Sequence, residues 1–289
     1  MSDTQGDRLA TGGWHRRAVE VGGLTFDLAE QGPADGRPVL LLHGFPQTHR
    51  AYDALAAVLA ADGANLRLIA LDQRGYSPGA RPADPGAYTL PELAGDAAGI
   101  LEALHLSAVD VVGHDWGSLV GWFLAAHYPD RVRTFTAVSV PHPAAFAAAL
   151  AASAQQRRMS SYVSLFRDPA KAARVLLEDD ARRLRALYRP LDDRAAAPHL
   201  AALSDPVALT AALSWYQATK FGEGAHTPTV DVPVTYVWST ADAAISRDAA
   251  ERCVEHVAGP YRFVELEGIS HWIPDEAPEA LAAALPFPA

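Results

Sequence analysis

The first half of the chain alternates short runs of apolar, often β-branched residues with stretches whose apolar positions recur every three or four residues. A continuous or period-two run marks a strand, and a 3.6 period marks a helix packed on one side. Residues 17–21 and 24–30, split by Gly22-Gly23, read as an antiparallel hairpin. Residues 39–42 are uninterruptedly apolar, as expected of a strand buried on both faces, and end in the sharp turn His43-Gly44-Phe45-Pro46. Leu55, Leu59 and their neighbours predict a helix closing near Gly63. A strand at 68–71 follows, ending in Asp72-Gln73-Arg74-Gly75, and then a helix over 90–104. Residues 109–112 form a strand running directly into Gly113-His114-Asp115-Trp116-Gly117. A helix from about Ser118 to His127 and a strand at 135–140 complete this half.

After Pro141 the rhythm changes. Residues 142–229 carry only helical periodicities, at 144–157, 171–178, 181–188 and 206–219, punctuated by proline or glycine. The alternation resumes with a strand at 232–238, a helix through 247–257, a strand at 261–266 and a last helix from Glu276. No internal repeat is visible. Alternating strands and helices predict an α/β fold, with a mostly parallel sheet covered on both faces. Residues 1–141 and 230–289 would form the core domain, and 142–229 a helical lid over the strand ends, where open α/β sheets place their ligands.

Composition narrows the function classes. With 24 basic against 34 acidic side chains, the formal charge of -10 argues against a nucleic-acid surface. Arg182, Arg183 and Arg185 read as the solvated face of a helix. The single cysteine, Cys253, excludes an intramolecular disulfide, and zinc-type ligand spacing is absent. Residues 1–10 are polar, without the apolar segment of a signal peptide, and no run approaches about 18 apolar residues. A cytoplasmic protein that does not enter membranes is expected, as monomer or homodimer.

The segment from Gly113 to Gly117 has the form glycine, any residue, nucleophile, any residue, glycine. A strand turning abruptly into a helix lifts one side chain above the sheet, and glycines two positions to either side remove clashing Cβ atoms. The helix N-terminus then offers N–H groups and a positive dipole beside that side chain. An aspartate ahead of a helix is also an ordinary cap, so the segment by itself leaves both roles open for Asp115.

Taken together, these segments resemble the α/β-hydrolase superfamily from about Trp14 to the C-terminus. The resemblance implies the α/β-hydrolase fold, a mostly parallel eight-stranded sheet with an inserted helical lid. It also implies an oxyanion turn at His43–Pro46, the nucleophile at Asp115, and an acid and a histidine after later strands. Asp242, just past Val237-Trp238-Ser239-Thr240-Ala241, matches the acid, although many relatives carry glycine where Ser239 stands. The alternative acid position, after the strand before the lid, reads Ser139-Val140-Pro141 and holds no carboxylate. Among eleven histidines, His271 alone directly follows the last strand. His43 and His114 are expected to shape the turn and the elbow, and Asp72 and Arg74 to fix a strand end.

An aspartate nucleophile restricts the chemistry. Its carboxylate can displace a leaving group from saturated carbon, and the alkyl ester so formed keeps a carbonyl that water can attack. His271 would activate that water and Asp242 would orient His271. The backbone N–H groups of Phe45 and Trp116 would hold the oxyanion. Epoxides and alkyl halides both fit. An epoxide oxygen needs a donor, and the contexts of Tyr162 (four residues before Phe166) and Tyr216 (after Trp215) look like the ring-opening tyrosines of epoxide hydrolases. The resemblance thus implies an epoxide hydrolase that needs neither metal nor cofactor, with Trp116, Trp215 and Phe166 contacting substrate. The apolar character of the lid favours a neutral, hydrophobic small molecule. Two alternatives stay open: a haloalkane dehalogenase using Trp116 and Trp215 as halide donors, and a non-catalytic ligand receptor on the same fold.

Overall fold

A computed structural model describes residues 13–219 and 227–286; the polar segment 1–10 lies outside the described residues. Eight strands form one sheet: β1 (His15–Val21), β2 (Leu24–Gln31), β3 (Arg37–Leu42), β4 (Leu66–Leu71), β5 (Val109–His114), β6 (Val132–Val138), β7 (Val234–Ser239) and β8 (Tyr261–Leu266). Their spatial order is β1-β2-β4-β3-β5-β6-β7-β8. The hairpin β1–β2 is antiparallel, with Val21 opposite Leu24, and β2 meets β4 antiparallel. From β4 to β8 all pairings are parallel. This is the α/β-hydrolase fold, as expected.

The apolar run in β3 is explained by burial on both faces. Val39 and Leu41 pack with Leu55, Ala56 and Leu59 of α1 (Asp53–Ala61) and with Leu281 and Ala284 of α12 (Pro278–Ala284). Leu40 and Leu42 face the opposite layer, with Ile100 of α2 (Leu90–Ala103) and Leu119 and Val120 of α3 (Trp116–His127). Each such leucine contributes about 1.5–3 kcal/mol by burial. A Leu40→Ala change would remove that and leave a cavity, at a cost of about 2–5 kcal/mol.

Between β6 and β7 the described residues form only helices: α4 (Pro143–Ala152), α5 (Ala154–Met159), α6 (Val163–Phe166), α7 (Pro169–Leu187), α8 (Asp193–Leu203) and α9 (Pro206–Ala218). The helix expected over 144–157 breaks at Ser153, whose extended backbone and side chain cap α5. The two helices expected at 171–178 and 181–188 are the halves of α7, separated by non-helical Glu178–Ala181. Helix α8 is absent from the periodicity reading because Pro198 interrupts its pattern; Asp192 caps it through the Ala195 N–H. The helix expected over 247–257 is regular only as α10 (Arg247–Glu251), then tightens into a 3₁₀ turn. A short turn, α11 (Ile273–Glu276), precedes α12. No helix among the described residues is long and apolar enough to cross a membrane.

Candidate active site

β5 passes into α3 through Asp115, whose φ of 54° and ψ of -117° lie outside the ordinary regions for a residue with a side chain. A Cβ on Gly113 would press on the Gly117 carbonyl, and one on Gly117 would overlap the Leu42 carbonyl oxygen of β3. The elbow therefore requires glycine at both positions. Asp115 stands at the N-cap position of α3, but its side chain makes no capping hydrogen bond. Its Oδ1 instead accepts the Phe45 N–H at 2.8 Å. A Cβ on Gly44 would overlap that carboxylate, so the turn after β3 is also shaped around it. Trp116 follows at the opening of α3, in the turn whose amides point out of the helix end.

The loops after β7 and β8 bring Asp242 and His271 to the same point. His271 Nε2 lies 3.4 Å from Asp115 Oδ2, and its Nδ1 is 3.1 Å from both oxygens of Asp242. All three residues are buried. Burial works against a charged imidazole, but the charge of Asp242 and the hydrogen bond to Asp115 outweigh it and raise the His271 pKa to about 10. Asp242 moves the opposite way: burial disfavours its charge, while His271, Ser139 and the Ala244 N–H together hold it below the usual carboxylate range. Ser239 is accommodated by donating its hydroxyl to the Ile269 carbonyl, which ties β7 to the histidine loop.

Ser139 was not singled out by the sequence, where it counted only as a missing carboxylate. Its hydroxyl lies 2.6 Å from Asp242 Oδ2 and 2.9 Å from His271 Nδ1. Only the match of its position to the alternative acid position pointed there.

Asp115 and His271 open onto a cavity of about 200 Å³, lined also by Phe45, Met159, Tyr162, Phe166, Tyr216 and Trp272. The rings of Tyr162 and Tyr216 are 6.2 Å apart in a T-shaped arrangement. Tyr162 is 37% exposed as a residue. The surroundings of its hydroxyl nevertheless desolvate it, and with the charges of Asp115 and Asp242 they raise its pKa. Tyr216 is buried and raised well above the ordinary phenol value, by burial first and then by Tyr162 and Asp115. Both are therefore held as neutral phenols, able to donate.

Trp116 and Trp215 are not among the residues lining the cavity. Trp215 is fully buried and its indole N–H donates to the Arg74 carbonyl at 2.9 Å. Trp116 packs edge-on against Tyr216, 4.9 Å between centroids, and pulls that hydroxyl's pKa down by a side-chain hydrogen bond. The cavity wall missed by the sequence reading includes Trp272, whose indole reaches the Arg189 carbonyl at 3.3 Å.

The histidines near the site take structural positions. His43 contacts the Gly44 carbonyl and accepts the Gln73 N–H, and His114 Nε2 lies 2.8 Å from the His271 carbonyl. Burial lowers both to about 4, so they are neutral at pH 7. Asp72 accepts from the His49 N–H, and Arg74 forms a buried pair with Asp96.

A carboxylate on a strand–elbow–helix turn, a second carboxylate after β7 and a histidine after β8 on this sheet define a class. The chain belongs to the α/β-hydrolase fold family, whose model matches residues 37–278. Within it the chain is epoxide hydrolase-like. It is 30% identical to epoxide hydrolase A of Mycobacterium tuberculosis, over 93% of this chain and 95% of that one. It is 31% identical to the AB hydrolase superfamily protein YfhM of Bacillus subtilis, over 90% and 92% of the two chains. A solved structure of an epoxide hydrolase from hot-environment metagenomes superposes with a TM-score of 0.83 at 28% identity, covering 94% of this chain and 97% of that one.

Proposed function

We propose that the protein opens epoxides to vicinal diols through an alkyl ester on Asp115. The observation that carries this reading is one cavity lined by a carboxylate, an imidazole backed by a second carboxylate, and two neutral phenols. Asp115 attacks one epoxide carbon and the C–O bond breaks. Tyr162 and Tyr216 donate to the departing oxygen, which takes a phenol proton; the proton that His271 sheds once Asp115 loses its charge restores the phenol. Esterification removes the charge of Asp115, which leaves His271 able to take a proton from water. The hydroxide attacks the ester carbonyl, and the N–H groups of Phe45 and Trp116 stabilise the oxyanion. Collapse expels the diol oxygen, which takes the proton of the re-formed Asp115 carboxyl, and Asp115 returns as a carboxylate beside protonated His271.

We read segment 142–229, whose described residues form α4 to α9, as a lid: Met159, Tyr162, Phe166 and Tyr216 all reach the cavity from it. The chiefly apolar lining favours a neutral, hydrophobic epoxide. Epoxide chemistry is favoured over halide release because the indoles of Trp215 and Trp116 are directed to Arg74 and Tyr216. The relatives named epoxide hydrolases support the same reading.

Incubation with a panel of epoxides and haloalkanes tests it, with diol formation and no halide expected. Halide release without diol would overturn the assignment. A His271→Gln variant should trap the ester, adding the mass of one epoxide to the intact protein.

A further inference from the structure

Ser139 is the first residue past β6, and its φ is 69° although it carries a side chain. Residues with a Cβ avoid that region, and such conformations persist only where the surroundings hold them. Here the Ser139 N–H donates to the Val237 carbonyl at 2.8 Å. The Tyr236 hydroxyl donates to the Ser139 carbonyl at 2.7 Å. The outcome is a serine hydroxyl inserted between Asp242 and His271, in contact with both.

We propose that Ser139 is a positioning residue, whose hydroxyl holds Asp242 and His271 in register and tempers the charge that Asp242 presents to the ring. The proposal rests on the reading of His271 as the base of ester hydrolysis. An ionised carboxylate only accepts, so the hydrogen of Ser139 lies in the short contact to Asp242 Oδ2. The serine oxygen then turns its lone pairs towards His271 Nδ1. Asp242 Oδ1 meanwhile accepts the N–H groups of Ala244 and Ile245 at 2.7 and 3.0 Å. Each oxygen of this fully buried carboxylate thus has a donor besides the imidazole.

The two contacts of the hydroxyl act differently on the base. The proton that His271 exchanges is on Nε2, which faces Asp115, while Nδ1 keeps its hydrogen in both states. The contact between Nδ1 and Ser139 is therefore common to both states and cancels to first order. Donation to Asp242 does not cancel, because it weakens the hold of the carboxylate on the imidazolium. The other titratable groups facing the ring are Asp115 and His114, the latter 4.9 Å away between centroids. Tyr162 and Tyr236 face the aspartates. A substitution at Ser139 leaves all of these in place.

Ser139→Ala and Ser139→Gly test the proposal. Alanine keeps the Cβ and its backbone strain, glycine relieves the strain, and neither has the hydroxyl. The His271 ring is titrated by NMR in the Asp115→Asn background, which imitates the uncharged ester. Both variants should titrate about one pH unit higher than the parent. In single turnover on the Asp115 enzyme, the pH profile of ester hydrolysis should move alkaline by the same amount. Hydrolysis at neutral pH should slow about tenfold, with ester formation nearly unchanged. An unmoved titration and profile, or losses that follow the two variants' different Tm values, would overturn the proposal. If even the enzyme with Ser139 forms no ester, the reaction itself is refuted, and the NMR titration still decides the role of Ser139.

Discussion

His271 Nε2 lies 3.4 Å from Asp115 Oδ2, so the proposed base is in contact with the proposed nucleophile before any substrate arrives. Part of the rise in the His271 pKa to about 10 comes from that hydrogen bond and from the Asp115 charge. Neutralising Asp115 should therefore lower it. In Asp115→Asn, the imidazole C–H resonances of His271 should titrate at least about one unit below the parent. An unchanged titration would mean that Asp115 does not control the protonation of His271, and that forming the ester does not free the base.

The same groups link stability to pH. The folded-state pKa of His271 is raised, so its contribution is complete below about pH 6.5, its unfolded value. That contribution fades as pH rises through about 10. The pKa of Asp242 is depressed, so its contribution is present above its ordinary value and is lost as pH falls through the folded one. The stability difference between the parent and His271→Gln should be widest near about pH 5–6 and shrink towards alkaline pH. Urea unfolding at several pH values measures it, and a difference that grew with pH would contradict the assignment.

The elbow predicts opposite outcomes for two glycines. Gly117→Ala drives a methyl into the backbone of β3, where no side chain can move aside. A loss of about 2–4 kcal/mol is expected, together with loss of activity. Gly95 lies in α2 with nothing within 4 Å of an added Cβ. Gly95→Ala should stabilise the protein by about 0.5–1 kcal/mol through helix propensity. Thermal unfolding compares the two, and similar effects at both sites would refute the steric account.

Local patterns made much of this legible. The apolar run of β3 and the glycine spacing around Asp115 are dictated by burial on two faces and by close backbone approach, which act within a few residues. The chain order of Asp115, Asp242 and His271 pointed to a site that the loops after three different strands then assemble. What the sequence could not show depends on direction rather than on residue type. Trp215 stands beside Tyr216 in the chain, yet its indole turns to the Arg74 carbonyl while Tyr216 reaches the cavity. Ser139 is an unremarkable residue until its positive φ aims the hydroxyl at two distant loops. Helix α8 was hidden by Pro198, which the helix tolerates.

The division of labour between Tyr216 and Trp215 gives the sharpest test of substrate class. Removing a phenol leaves its ring in the aromatic cluster with Phe45 and Phe166 but takes away a donor proposed for the epoxide oxygen. Tyr216→Phe and Tyr162→Phe should each slow ester formation by about 10²-fold or more, and the double variant further still. Hydrolysis of an ester already formed should change much less, because the tyrosines then face an alcohol. Trp215→Phe removes no donor from the cavity. It leaves the Arg74 carbonyl without its indole partner, and the expected cost is about 1–3 kcal/mol of stability. Its rate of ester formation should stay close to the parent's. Stopped-flow single turnovers separate the two steps. If instead Trp215→Phe slowed the first step and the tyrosine variants did not, the leaving group would be held by indoles, and a halide would replace the epoxide oxygen in the reaction.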